Sequence, residues 1–251
     1  MSGHSKWATI KRKKALIDSK RGASFTKIIR EIIVAAKSGG DVNANARLRA
    51  VVEKAKAANM PSDNIKKAIQ KGTGELPGVN YEEIMYEGYG PGGVALIINV
   101  TTDNKNRSAA DLRALLTKGN GSMAAPGATA WQFDQKGFIS VSKETIDEDS
   151  LMEVALEAGA SDIKNEDDSF DIVTEIADLE TVKKALDAKS VKYTVAEVTM
   201  VPKTYVKLEG RDAERMLKLM ESLEEHDDIS NVYANFDISK EEMERISNLE
   251  G

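Results

Sequence analysis

The chain changes sign at Gly74, and this change limits what it can fold into more than any single motif does. Residues 1–74 hold 17 Lys and Arg against five acids, a net of +12, while residues 75–251 hold the other 18 basic and 36 acidic side chains, a net of −18. The overall charge of −6 conceals both. A basic segment joined to an acidic body points to a polyanion-binding part carried on a part that keeps the molecule soluble. With 251 residues, 41% hydrophobic and 30% charged, the chain is long enough for about two domains with real cores. It has no cysteine, which excludes disulfides, Cys-ligated zinc, iron–sulfur clusters and a cysteine nucleophile. Residues 1–14 carry five Lys/Arg and no apolar run of signal-peptide length, and no stretch reaches ~18 apolar residues. A cytoplasmic location and no membrane partner are expected.

Hydrophobic spacing changes at the same place. In the basic segment apolar residues recur three and four apart: Phe25, Ile28, Ile29, Ile32 and Ile33, then Leu48, Val51, Val52 and Ala55, then Ile65, Ala68 and Ile69. This predicts three short amphipathic helices in a small bundle. Gly39-Gly40 stops the first, Asn59-Met60-Pro61 breaks the second, Ser62 caps the third and Gly72 ends it. A basic lead-in helix is expected over residues 7–18. Lys27 and Arg30 fall off the apolar stripe and are expected to face solvent.

Residues 71–80, KGTGELPGVN, have the composition of a linker. Beyond it, strands are expected at 81–89 and 94–101, with a helix over 106–118. Residues 136–199 read strand, helix, strand, strand, helix, strand, the order of a ferredoxin-like unit. Residues 205–208, the helix with Met216, Leu217, Met220 and Leu223, and the strand 232–237 are then left to rejoin the first strands. The expected fold is therefore α+β and multidomain: a basic helical domain (1–75), a discontinuous α/β domain (76–134 plus 203–251), and a ferredoxin-like α/β domain (135–202) inserted into it.

The densest chemical signal is the run of Lys6, Lys11, Arg12, Lys13, Lys14, Lys20, Arg21, Lys27 and Arg30 around Trp7. A phosphate backbone needs positive charge and hydrogen-bond donors at repeated short spacing, and an indole can stack on a base or pack in a core. Arg47 and Arg49 extend the patch, or one of them pairs with Asp41. The turn Gly90-Pro91-Gly92-Gly93 lies between strands, without the helix and Lys of a phosphate loop, and reads as a hairpin turn. Asp103 or Asn104 opens a helix as its cap. His226-Asp227-Asp228 with Glu224 and Glu225 has metal-ligand residue types, but consecutive residues do not converge on one ion, and a solvated helix end is expected. His4 and His226 are the only histidines. No catalytic residue, metal site or cofactor is expected.

These residues also resemble the YebC family nearly end to end. The likeness rests on Gly3-His4-Ser5-Lys6-Trp7, Ile10-Lys11, Arg21-Gly22, Phe25, Arg30-Glu31-Ile32, Asn59-Met60-Pro61, Asn64-Ile65 and Ala68-Ile69. Further on it rests on residues 86–93 (YEGYGPGG), Thr102-Asp103-Asn104, Asn106-Arg107, Glu225-His226-Asp227-Asp228 and Asn231-Val232-Tyr233. The resemblance implies an N-terminal helical domain and two α/β domains acting without catalysis on nucleic acid or the ribosome. The family includes proteins named as transcriptional regulators and a mitochondrial activator of cytochrome c oxidase translation. After Lys118-Gly119 the family pattern has a second glycine and then Leu-Gly, where this chain has Asn120, Met123 and Ala124.

The leading expectation is a non-enzymatic regulator of gene expression that binds double-stranded DNA through the basic domain, with the acidic domains left for protein contacts or homo-oligomerisation. The alternative is a ribosome-associated translation factor that grips ribosomal RNA with the same residues. A third reading, a metal-dependent nuclease using Asp103, His226, Asp227 or Asp228, has the least sequence support.

Overall fold

A computed structural model describes residues 21–166 and 168–249. Helices α1 (Arg21–Ala36), α2 (Ala46–Ala57) and α3 (Ser62–Thr73) form the basic bundle. Its core is the predicted stripe: Ile28, Ile32, Ile33, Leu48, Val52, Ala55, Ile65 and Ala68 are buried, with Phe25, Ile29 and Ile69 packed against them. Asn45 organises the first turn between helices. Its Oδ1 accepts the Leu48 N–H at 3.0 Å as the cap of α2, while its Nδ2 donates to the carbonyls of Ala35 and Gly39.

Two details of α3 differ from expectation. Pro61 occupies the cap position and Ser62 makes no capping bond there. The helix also runs through Gly72 and ends at Gly74, whose φ of 83° is the left-handed conformation that glycine adopts without strain. Gly72 has a different function: a Cβ there would lie 2.4 Å from the Ile33 carbonyl oxygen and 2.6 Å from Ala36 Cβ. It is the point where α3 meets α1.

The first sheet has the order β3-β1-β2-β9, from β1 (Glu82–Tyr89), β2 (Ala95–Thr102), β3 (Ser122–Ala124) and β9 (Ile229–Ala234). All its pairs are antiparallel, running from Glu82↔Thr102 to Tyr89↔Ala95 between β1 and β2. The central strand β2 is an apolar run buried on both faces, as its Ala-Leu-Ile-Ile sequence requires. Leu96, Ile98 and Val100 pack with Leu112 and Leu116 of α4 (Lys105–Lys118), with Met216, Met220 and Leu223 of α7 (Gly210–Glu225), and with Met243 and Ile246 of α8 (Lys240–Leu249). Helix α1 touches β2 and β9. A two-stranded parallel piece pairs β8 (Val206–Lys207) with β10 (Phe236–Asp237). Strand β3 and helix α8 are additions to the predicted elements.

Residues 131–205 form a second compact unit. Its sheet has the order β5-β6-β4-β7, from β4 (Phe133–Ser142), β5 (Ala160–Asn165), β6 (Ser169–Thr174) and β7 (Tyr193–Pro202). Every pair is antiparallel, which is the ladder a β-α-β-β-α-β chain makes when β6 inserts between β4 and β5. Ile139, Val141, Phe170 and Ile172 form its core with Leu151 and Ala155 of α5 (Glu148–Glu157) and Leu179, Val182 and Leu186 of α6 (Leu179–Ala188).

Gly72→Ala sets helix propensity, worth about 1 kcal/mol in favour of alanine, against overpacking of a backbone contact, which costs about 1–3 kcal/mol. The contact wins: the expected result is a lower Tm by thermal denaturation, whereas a higher Tm would mean that α1 and α3 are not in contact at this point.

Candidate nucleic-acid interface

Seven of the twelve residues that the sequence nominates, Lys6, Trp7, Lys11, Arg12, Lys13, Lys14 and Lys20, lie outside the described residues, as does the lead-in helix. Arg21 opens α1. Arg47 pairs with Glu83, and Arg49 donates to the carbonyls of Val42 and Asn43, so neither pairs with Asp41 as the alternative had it. Six further described cations of this segment are exposed: Lys37 just after α1, which donates to Asn80 and the Tyr81 carbonyl, Lys54 on α2, which pairs with Glu31, Lys56 on α2, and Lys66, Lys67 and Lys71 on α3. Lys67 and Lys71 stand one helical turn apart, a spacing that puts both ammonium groups on one face.

Lys27 and Arg30 do not face solvent as the helix pattern predicts. Lys27 Nζ donates to the Glu224 carbonyl at 2.5 Å, and Arg30 Nη1 donates to the Asp227 carbonyl at 2.6 Å and to Asp228 Oδ1 at 2.7 Å. Glu224 lies in the last turn of α7, where the final carbonyls have no intrahelical partner and the helix dipole favours positive charge, and Asp227 and Asp228 follow just beyond the helix end. The Arg30 guanidinium also sits 5.4 Å from the centre of the Tyr81 ring. Periodicity along α1 reports where the bundle core lies but contains no information about a second partner.

His226-Asp227-Asp228 is accordingly not a solvated helix end. The Asp228 side chain is only 5% exposed and receives two arginines: Arg30 on Oδ1 and Arg107 on Oδ2, at 2.7 and 2.8 Å. Ser108 Oγ donates to Oδ2 at 2.6 Å, and the Thr102 hydroxyl lies 3.2 Å from it. The Asp228 carbonyl accepts the Thr101 N–H at 2.7 Å, fixing the residue at the end of the β2–β9 ladder. Arg107 is positioned because Asn104 caps α4 through the Arg107 N–H and Asp103 accepts from its guanidinium at 2.8 Å. His226 turns elsewhere, with Nδ1 accepting the Asp228 N–H and Nε2 lying 3.5 Å from Asp111. Among the described residues no three His, Asp or Glu side chains are grouped to hold a metal ion.

Burial alone would raise the Asp228 pKa. The hydrogen bonds from Arg107 and Ser108, with the charges of Arg107 and Arg30, overcome it and hold the group at about 2, below its ordinary 3.8. A carboxylate depressed in the folded state stabilises it fully above the ordinary pKa and ceases to do so as pH falls toward 2. Asp228→Asn leaves two arginines facing a neutral group, an expected loss of about 3 kcal/mol near neutral pH. In urea denaturation the gap between the parent and this variant narrows as pH is lowered from about 4 to about 2; a gap independent of pH would show that the carboxylate is not the ionised hub.

Comparison with known proteins places this geometry in a family. The family model described as "TACO1/YebC protein N-terminal domain" matches residues 5–75, and "TACO1/YebC second and third domain" matches residues 81–236. A protein of Endomicrobium trichonymphae named "Probable transcriptional regulatory protein" is 56% identical over 250 residues, covering 98% of this chain and all of the relative. One of Geobacter sulfurreducens, with the same descriptive name, is 56% identical over 247 residues, again 98% of this chain and all of the relative. The crystal structure of a conserved hypothetical protein from Aquifex aeolicus superposes with a TM-score of 0.78 at 42% identity, covering 89% of this chain and 93% of that one. With both family models spanning most of its length, the chain belongs to the TACO1/YebC family.

Proposed function

We propose that the protein is a non-enzymatic regulator of gene expression that binds double-stranded DNA through its basic N-terminal domain, residues 1–75. The observation that carries this reading is the charge division: +12 over residues 1–74 against −18 beyond. Exposed Lys56, Lys66, Lys67 and Lys71 continue the positive surface on α2 and α3. The names of the relatives, "Probable transcriptional regulatory protein", agree with it. Lysine-rich surfaces contact phosphates rather than base edges, so discrimination between DNA sequences is modest.

In this reading Lys6, Trp7, Lys11 to Lys14, Lys20, Arg21, Arg47 and Arg49 meet the nucleic acid. Lys27 and Arg30 orient the bundle through the end of α7. The working division is a helical domain (1–75), a discontinuous α/β domain (76–134 with 203–251) and an inserted ferredoxin-like domain (135–202). The acidic domains make protein contacts, including contacts with further copies of the chain, in the cytoplasm. No helix among the described residues is long and apolar enough to cross a membrane.

A second reading, a ribosome-associated translation factor, uses the same cations on ribosomal RNA, because a basic helical surface satisfies either polyanion. The resemblance to a mitochondrial translational activator favours keeping it. Sedimentation of tagged protein through ribosome profiles at two salt concentrations separates the readings, with Lys11→Ala/Arg12→Ala/Lys13→Ala/Lys14→Ala as control. The DNA reading predicts protein at the top of the gradient under conditions where it binds DNA, with DNA affinity lost in the quadruple variant. Co-migration with ribosomes that is salt-sensitive and lost in that variant would make translation the primary function.

A further inference from the structure

Helix α5 carries two large apolar side chains that the core of its own unit does not use. Leu151 and Ala155 are buried in that core, with Val154 and Ala158 packed against it. Met152 and Leu156, one helical turn apart, are 40% and 47% exposed. With Asp149 and Glu153 they stand at i, i+3, i+4 and i+7, the spacing of a single face. At about 100° per residue that face points away from Leu151 and Ala155. Single apolar residues scattered over a surface are ordinary, whereas a pair held on one face of a helix is an anchor for a contact.

The charges around the pair decide what the contact takes. Residues 144–163 contain seven acids and no Lys, Arg or His, and all seven are exposed. Asp147 accepts the Ser150 N–H at 3.0 Å as the cap of α5, and Glu148 accepts from Asn165. Asp149, Glu153 and Glu157 make no ion pair or side-chain hydrogen bond among the described residues. They follow one another four apart, so they repel along the helix, and cations brought by a partner relieve the repulsion. No three His, Asp or Glu side chains among the described residues are grouped for a metal ion. Nucleic acid, being a polyanion, is repelled here. The described basic helices α1 to α3 bury their own apolar stripes, which leaves the cover of Met152 and Leu156 to another protein.

We propose that this face of α5 docks a basic segment of a partner protein, one whose Lys or Arg side chains flank at least two apolar ones. The proposal rests on the reading that the acidic domains make protein contacts and deepens it by naming the surface and the partner's chemistry. Met152 and Leu156 are the apolar anchors, and the carboxylates beside them steer and orient the incoming cations. An amphipathic basic helix fits both requirements, because its apolar side chains recur at the same three and four spacing.

The test is fluorescence anisotropy of the full chain with a labelled Lys/Leu peptide whose leucines stand three and four apart, and with a Lys/Ser peptide of the same length and charge. The variants are Met152→Gln/Leu156→Gln and Glu153→Gln/Glu157→Gln, exposed substitutions that keep helix propensity. The parent is expected to bind the Lys/Leu peptide more tightly than the Lys/Ser peptide. Met152→Gln/Leu156→Gln removes that difference, a loss of roughly tenfold or more, and leaves Lys/Ser binding unchanged. Glu153→Gln/Glu157→Gln weakens both peptides and flattens the salt dependence. Equal Lys/Leu affinity of the parent and Met152→Gln/Leu156→Gln, or equal affinity of the parent for both peptides, would overturn the proposal. Dimerisation of the parent that Met152→Gln/Leu156→Gln abolishes, read by light scattering, would overturn it in favour of a second copy. Affinity for a DNA duplex, measured on the same samples, is expected to be the same for parent and Met152→Gln/Leu156→Gln. Its absence in the parent would count against the nucleic-acid reading and leave the docking face standing.

Discussion

The Asp228 carboxylate draws together guanidinium groups that lie 198 and 121 residues away in sequence, Arg30 and Arg107. Taking a carboxylate out of water is costly, and it is stable here because two cations and a serine hydroxyl satisfy it. The same residue immediately precedes β9, and its carbonyl accepts the Thr101 N–H at the end of the ladder. One side chain therefore ties the basic bundle, the first turn of α4 and the edge of the first sheet. The carbonyls of Glu224 and Asp227 add a second layer to this tie by receiving Lys27 and Arg30. A helix that sequence pattern would leave facing water is instead docked on the body.

Much of the fold was legible because periodicity reports burial directly. The three stripes in residues 25–69 became the bundle core, and the strand and helix order of residues 136–199 became the antiparallel ladder of the second unit. Short elements escaped. Strand β3 has three residues, too few for an alternation to register. Helix α8 carries Met243 and Ile246 within a mostly charged and polar sequence, an apolar face that makes sense only beside α7.

The ends of α3 show a different limit. Gly72 and Gly74 are equally good terminators by composition, and the choice between them was made by a contact with Ile33 that no local rule contains. The candidate site fared similarly. Charge density located a basic segment, but the engagement of Lys27 and Arg30 depends on Glu224, Asp227 and Asp228, nearly two hundred residues downstream. The run Glu-Glu-His-Asp-Asp looked like solvated acid because each residue has that habit alone. The one local signal of burial is an aspartate placed immediately before an apolar strand.

Under the proposed function the basic domain would draw in a polyanion over distance and hold it by phosphates, while the acidic body would limit where the polyanion can lie. The most direct measurement is the affinity of the full chain for a DNA duplex across a range of salt concentrations. With about five phosphates neutralised, log affinity against log salt falls with a slope of about −4.5. A flat response would contradict a phosphate-based mode of binding and the assignment of function to the basic domain.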